Sequence, residues 1–243
     1  LPQCRVAHTS ITRRAAMQRS GTVIDDGAVC EECPEDETLV QSTSSAVSDA
    51  QLRKAYETIL RAIGEDPNRE GLIKTPARAA KAIRALTSGY VDATEVARGA
   101  LFTVDSRRSM EPLGMVVVRD IRINSMCEHH LLPFYGKCHI GYLPHQSVLG
   151  LSKLARVADI CARRLQMQER LTQQIADAIM DAAHARGVMV AVECAHMCMC
   201  ARGVKQTESS TFTAVHRGVF VSDEALRREF WQQVNAGTPS SRL

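Results

Sequence analysis

From residue 49 onward the apolar positions fall into regular spacings that define elements. Leu52, Ala55, Tyr56, Ile59, Leu60 and Ile63 recur at helical intervals, so the spacing predicts a helix over 49–63 with Asp49 as its N-cap. Gly64-Glu65-Asp66-Pro67-Asn68 breaks it by turn chemistry. Thr75-Pro76 opens a second helix, with Thr75 as N-cap and Pro76 at the first helical position; Ala79, Ala80, Ile83 and Leu86 form its stripe and Gly89 ends it. From Met115 the period changes to two, or to solid apolar runs. Residues 115–123 and 136–143 are predicted strands around an irregular segment 124–135. Two helices follow, one carrying Leu151, Leu154, Ala155, Val157, Ala158, Cys161 and Leu165 on one face, the next Leu171, Ile175, Ala178, Ile179 and Ala182, with Gly187 closing it. Residues 188–195 and 211–221 are again predicted strands. Strand-strand-helix-helix-strand-strand behind a helical pair is an α+β pattern: an antiparallel four-stranded sheet with two helices on one face. Such a sheet leaves two edges to be blunted or paired with another subunit, which favours a ring-like oligomer.

The first 48 residues follow no such period. Residues 1–20 hold Arg5, Arg13, Arg14 and Arg19 without an acid, residues 21–40 are acidic without Lys or Arg, and 41–48 are mostly Ser and Thr. This is the composition of a disordered arm with separated charge blocks. Its Arg-rich opening resembles an organelle transit peptide as well as an ordinary flexible tail, and Cys30 and Cys33 within it read as two exposed thiols.

Composition narrows the class. Apolar residues at 45% support a substantial core, no apolar run approaches the length needed to span a bilayer, and a net charge of +3 is too small for a nucleic-acid face. Nine cysteines, an odd number, suit reduced thiols and metal ligation better than a disulfide framework, and imply a cytoplasmic protein unless the arm directs it to an organelle.

Three constellations carry chemistry. Cys127 and His130, three apart between strands, can converge on one tetrahedral ion, and His196-Met197-Cys198-Met199-Cys200 can complete the shell; thiolates with an imidazole select Zn²⁺. Ligation by both Cys198 and Cys200 would make a closed structural site, ligation by one an open catalytic site. In an extended strand both would face the same way, so spacing alone leaves the choice open. His129 and His196, each near a ligand and free to move protons, favour the catalytic alternative. In Gly150-Leu151-Ser152-Lys153-Leu154-Ala155-Arg156, Ser152 is placed to cap a helix whose first turn carries Lys153 and Arg156, a placement that suits an anion; Arg202 could add a third cation. Gln168-Glu169-Arg170 opens the next helix, where a carboxylate complements the helix dipole or pairs with the adjacent N–H donors of a guanine.

Taken together, Ser125-Met126-Cys127-Glu128-His129-His130, residues 150–156, Gln168-Glu169-Arg170-Leu171-Thr172 and His196-Met197-Cys198 resemble the GTP cyclohydrolase I family, and residues 64–72 resemble its N-terminal region. The resemblance implies a tunnelling fold (T-fold), with a disordered arm over 1–48, a helical region over 49–112 and a catalytic domain over 113–243. It implies Zn²⁺ on Cys127, His130 and Cys198, with Cys200 unliganded, and His129 and His196 as catalytic histidines. It also implies triphosphate contacts from Ser152, Lys153, Arg156 and Arg202, and guanine contacts from Gln168 and Glu169. The implied reaction opens the imidazole ring of GTP, releases formate and yields 7,8-dihydroneopterin triphosphate, the first step towards tetrahydrofolate or tetrahydrobiopterin. The implied assembly is a decamer of two pentamers with active sites between subunits. Animal-type relatives can bind a feedback regulatory protein, and the resemblance leaves that partner open for this chain.

Overall fold

A computed structural model describes residues 49–103 and 113–236. The expectations for the arm, its Cys30 and Cys33 included, lie outside these residues. The first two helices form as the spacing predicts: α1 is Asp49–Ala62 and α2 is Thr75–Leu86. Thr75 differs in role. It is the first helical residue, Pro76 the second, and its hydroxyl donates back to the Gly71 carbonyl instead of capping. A third helix, α3 (Ala93–Arg98), was not foreshadowed by any long period; the Asp92 carboxylate caps it by accepting from the Thr94 N–H. Strand β1 (Leu101–Thr103) follows.

Seven further elements bear on the site. They are β2 (Val116–Cys127), β3 (Pro133–Leu143), β4 (Ser147–Leu149), α4 (Leu151–Ala162), β5 (Leu165–Gln166), α5 (Gln168–Ala183) and β6 (Gly187–His196). The chain then forms a single turn, α6 (Met197–Cys200), strand β7 (Thr211–Gly218) and helix α7 (Glu224–Asn235). The expected antiparallel ladder is present as β2-β3-β6-β7, but β5 pairs in parallel with the end of β2, so the sheet is mixed and five-stranded, in the order β5-β2-β3-β6-β7. A separate antiparallel pair joins β1 to β4.

Two boundaries moved for local reasons. The irregular segment expected over 124–135 shrinks to 128–132, because Asn124, Ser125 and Met126 stay in register with Tyr135, Phe134 and Pro133 although their side chains break the apolar pattern. Ser125 is tolerated in the core because its hydroxyl donates to the Ala162 carbonyl at the end of α4, at 2.6 Å. Helix α5 is closed by His184 in the left-handed region (φ 45°), its N–H donating to the Met180 carbonyl; Gly187 instead begins β6, where a Cβ would lie 2.9 Å from both the Arg217 carbonyl and the Phe220 ring.

Strand β6 explains the layering. Val188, Val190, Val192 and Cys194 point into the main core with α4 and α5, while Met189 and Ala191 point to the opposite face, into a smaller core with Phe220, Phe230 and Val234. Helix α7, absent from the sequence-based pattern, covers that second face, so helices lie on both sides of the sheet. Its signal was a short one: Leu226, Phe230, Trp231 and Val234 behind Asp223, whose carboxylate caps the helix at Leu226 N–H. Ala93 and Ala97 of α3 belong to the main core, which ties the N-terminal helical region to the sheet.

Candidate active site

The chain directions place the site at one end of the sheet. Strands β2 and β6 end there, β3 and β7 begin there, and α5 starts there, directly after β5. At the end of β2 the Cys127 carbonyl accepts from both the His130 and Leu131 N–H groups, and Cys127 N–H donates to the Leu132 carbonyl. Leu131 sits at φ 52°, an unfavourable left-handed conformation for a branched side chain, and this sharp turn folds His130 back towards Cys127. Cys198, on α6 just past β6, meets them: the Cys127 and Cys198 sulfurs and a His130 ring nitrogen all lie within 4.8 Å of one another. Cys127 Sγ and His130 Nδ1 are 3.6 Å apart. Tetrahedral bonds of about 2.0–2.3 Å to a metal ion need ligand separations of about 3.6 Å; the Cys127–His130 pair has that spacing, and Cys198 lies close enough for the three to be a candidate metal group. Burial, then the neighbouring Cys127 sulfur, push the Cys198 thiol above its ordinary range, an unfavourable crowding that a bound cation would relieve.

Cys200 takes no part in this group. The segment 197–200 is helical, not extended, so positions two apart point to roughly opposite sides of the turn, about 200° round the axis. The Cys200 thiol instead donates to the Gln206 carbonyl at 3.3 Å. Three other thiols, Cys138, Cys161 and Cys194, are core residues; burial pushes Cys161 up to about 11, Cys194 up to about 12, and Cys138 further still.

Both expected catalytic histidines flank the group. His129 Nδ1 lies 3.9 Å from Cys127 Sγ, and its side chain is 58% exposed, open to a substrate. Behind it Glu128 pairs with Arg170, whose Nε also donates to Gln166 Oε1 at 3.1 Å. The His196 ring stacks on Phe134, with centroids 4.6 Å apart and planes within 8°, and its Nε2 is 2.8 Å from Gln168 Oε1. Burial lowers the His196 pKa, and the Glu169 carboxylate opposes that shift. Gln168 is buried and Glu169 exposed at the start of α5. The sequence motifs include Glu128 and Arg170 without assigning them a role, and they leave out Phe134 and Gln166. Phe134 is recognisable only from the register that sets it opposite His196.

The anion-binding candidates are placed differently. Gly150, not Ser152, is the N-cap of α4; Ser152 and Arg156 are exposed in its first turns, and Lys153 Nζ lies against Gly99. Because Ala162 at the other end of α4 touches Ser125, the helix carries Ser152 and Lys153 away from Cys127 by most of its length, about 18 Å for twelve residues. Arg202 is exposed just beyond α6, with Nη1 donating to the Cys198 carbonyl at 3.3 Å. One chain therefore unites the metal-ligand candidates, both histidines and the Gln168-Glu169 pair, and leaves the α4 cations at the far end of the same layer.

The α+β domain with a Cys-Cys-His group flanked by two further histidines defines a class of enzyme built around a candidate metal centre. A family profile described as GTP cyclohydrolase I matches residues 52–235. The GTP cyclohydrolase 1 of Pseudoalteromonas translucida is 52% identical over 185 residues, covering 76% of this chain and 97% of that protein. That of Chlorobium phaeovibrioides is 44% identical over 231 residues, covering 95% and 97%. That of Rattus norvegicus is 52% identical over 180 residues, covering 74% and 72%. The chain belongs to the GTP cyclohydrolase I family, and it is an enzyme of that class.

Proposed function

We propose that this enzyme binds GTP, adds water at C8 of the guanine, releases C8 as formate and closes the remainder to 7,8-dihydroneopterin triphosphate. The observation that carries this reading is the convergence of Cys127, His130 and Cys198 beside His129 and His196 in a chain of this family. The two soft sulfurs and one imidazole suit Zn²⁺, and three protein ligands leave a fourth position open. When bound, such an ion supplies Lewis acidity that makes water a nucleophile near neutral pH. His196 holds a proton for purine N7, making C8 electrophilic. His129, on an exposed turn, moves protons during formate departure, ribose opening and the Amadori rearrangement that precedes ring closure. Glu169 pairs with guanine N1–H and the 2-amino group, with Gln168 beside it. Ser152, Lys153, Arg156 and Arg202 clamp the triphosphate.

The separation of the α4 cations from the metal-ligand candidates supports a site completed by a second copy of the chain. The exposed apolar residues Ile59 on α1 and Ile63 just past its end, together with Leu131 in the ligand turn, fit a subunit interface. We assign a T-fold ring, a decamer of two pentamers, to this assembly. Among the described residues no helix is long and apolar enough to cross a membrane. Incubating the purified protein with GTP and assaying formate tests the reaction. Formate should appear, vanish after treatment with a zinc chelator and return with added Zn²⁺; absence of formate from the metal-loaded protein rejects the proposal.

A further inference from the structure

Gln168 is engaged at every polar atom of its side chain. Nε2 lies 3.0 Å from the Val192 carbonyl, 2.9 Å from the Thr211 carbonyl and 3.1 Å from Thr213 Oγ1. Carbonyl oxygens only accept, so the nitrogen end of the amide must face them; a flipped amide would set oxygen against oxygen. The threonines fix the same sense independently. The Thr172 hydroxyl donates to the Gln168 carbonyl at 2.8 Å, so in its 2.7 Å contact with Thr213 it must accept. Thr213 then donates its one proton to Thr172 and has a lone pair left for Gln168 Nε2. The donors run in one direction, from the Gln168 amide to the half-buried Thr213, to Thr172 and back to the Gln168 backbone.

The amide oxygen is thereby aimed at His196. An oxygen cannot donate, so the 2.8 Å contact requires a proton on Nε2. Phe134 stacked on the ring face prevents the imidazole from turning out of that plane. Among the described residues Nδ1 has no hydrogen-bond partner. We propose that Gln168 is a positioning residue that holds His196 Nε2–H, so that Nδ1 is the nitrogen that takes up a proton, passes it from the imidazolium to purine N7 and is left bare in the neutral Nε2–H ring. Reading of the guanine edge then falls to Glu169, whose side chain is exposed, while the Gln168 amide stays turned inward. This rests on the assignment of His196 as a proton carrier in GTP opening, yet the tautomer is measurable without turnover.

Solid-state NMR of the metal-loaded full-length protein, labelled with ¹³C,¹⁵N-histidine, tests it; His196→Asn identifies the signal. A protonated Nε2 and an unprotonated Nδ1 are expected in the neutral ring, and the opposite pattern overturns the proposal. Kinetics give a second reading. Gln168→Met, near in volume but unable to accept strongly from Nε2–H, should lower kcat by about 10–100-fold while KM for GTP stays within about twofold. A variant whose KM rises while kcat is kept would show that the amide reads guanine, and would reject the positioning role. Should Gln168→Met not fold, the wild-type spectrum alone decides. Failure of the parent enzyme to release formate would refute the proposed reaction and leave the tautomer result standing.

Discussion

Cys198 and Cys200 differ by two positions and by more than half a turn of helix, and their chemistry diverges accordingly. Cys198→Ser should remove a soft ligand and leave the protein with less than about a tenth of its metal and turnover. Cys200→Ser, which keeps a donor for the Gln206 carbonyl, should retain nearly all of both; metal analysis of the two purified variants checks the pair. A second residue-scale expectation concerns His139, away from the site. Its Nδ1 accepts the Asp120 N–H at a bulge in β2 where Asp120 takes φ 57°, and burial holds its pKa below the ordinary value against the opposing pull of Asp120. The native state thus prefers neutral His139. Stability from this group is complete above the unfolded pKa of about 6.5 and is lost as pH falls below it. Asp120, whose carboxylate Lys137 holds below its usual range, keeps its contribution until more acidic pH, at about 4 and lower. Urea unfolding at pH 7.5 and 5.5 should therefore show a drop that is smaller in His139→Asn. An equal drop in both proteins would exclude His139 as its source.

At the scale of elements, α4, α5 and most of β2, β3 and β6 were legible because their periods are long, whereas six-residue α3, also packed on the main core, is too short to show one. Helix α7 was not legible either, because its half-polar surface hides four apolar contacts among charges, and its partner face on β6 is visible only as a second set of alternating residues. The fit between them is tight. A Cβ on Gly141 of β3 would stand 2.5 Å from the Phe230 ring, so Gly141→Ala must displace α7 or the strand. It should destabilise the protein by about 1–3 kcal/mol, the usual cost of overpacking. Combining it with Phe230→Leu should cost less than the sum of the two single changes, since the smaller side chain gives way. Strictly additive effects in chemical denaturation would mean that the two positions do not compete for the same space.

For the whole molecule, the question is how two distant groups serve one substrate. If the α4 cations of one copy complete the metal-ligand group of another, Cys198→Ser and Lys153→Ala, each inactive alone, should complement each other when coexpressed. Random mixing would restore about a quarter of the wild-type sites, because each site then draws one intact half from each of two chains. No recovery in confirmed mixed oligomers would place the complete site within one chain. The sequence by itself determined which residue types stand beside one another: the Cys-Glu-His-His turn, the cationic helix start, the Gln-Glu pair and the alternation of the strands, all local patterns written in spacing. Spacing left open which cysteine joins the group, a choice that the family resemblance made for Cys198 and that the helical turn explains; only the tertiary structure decided which way the Gln168 amide points, that helices cover both faces of the sheet, and that the cations lie remote from the metal-ligand candidates. Those outcomes depend on strand register and on the direction in which α4 runs, and contacts made across long separations leave no period in the chain that makes them.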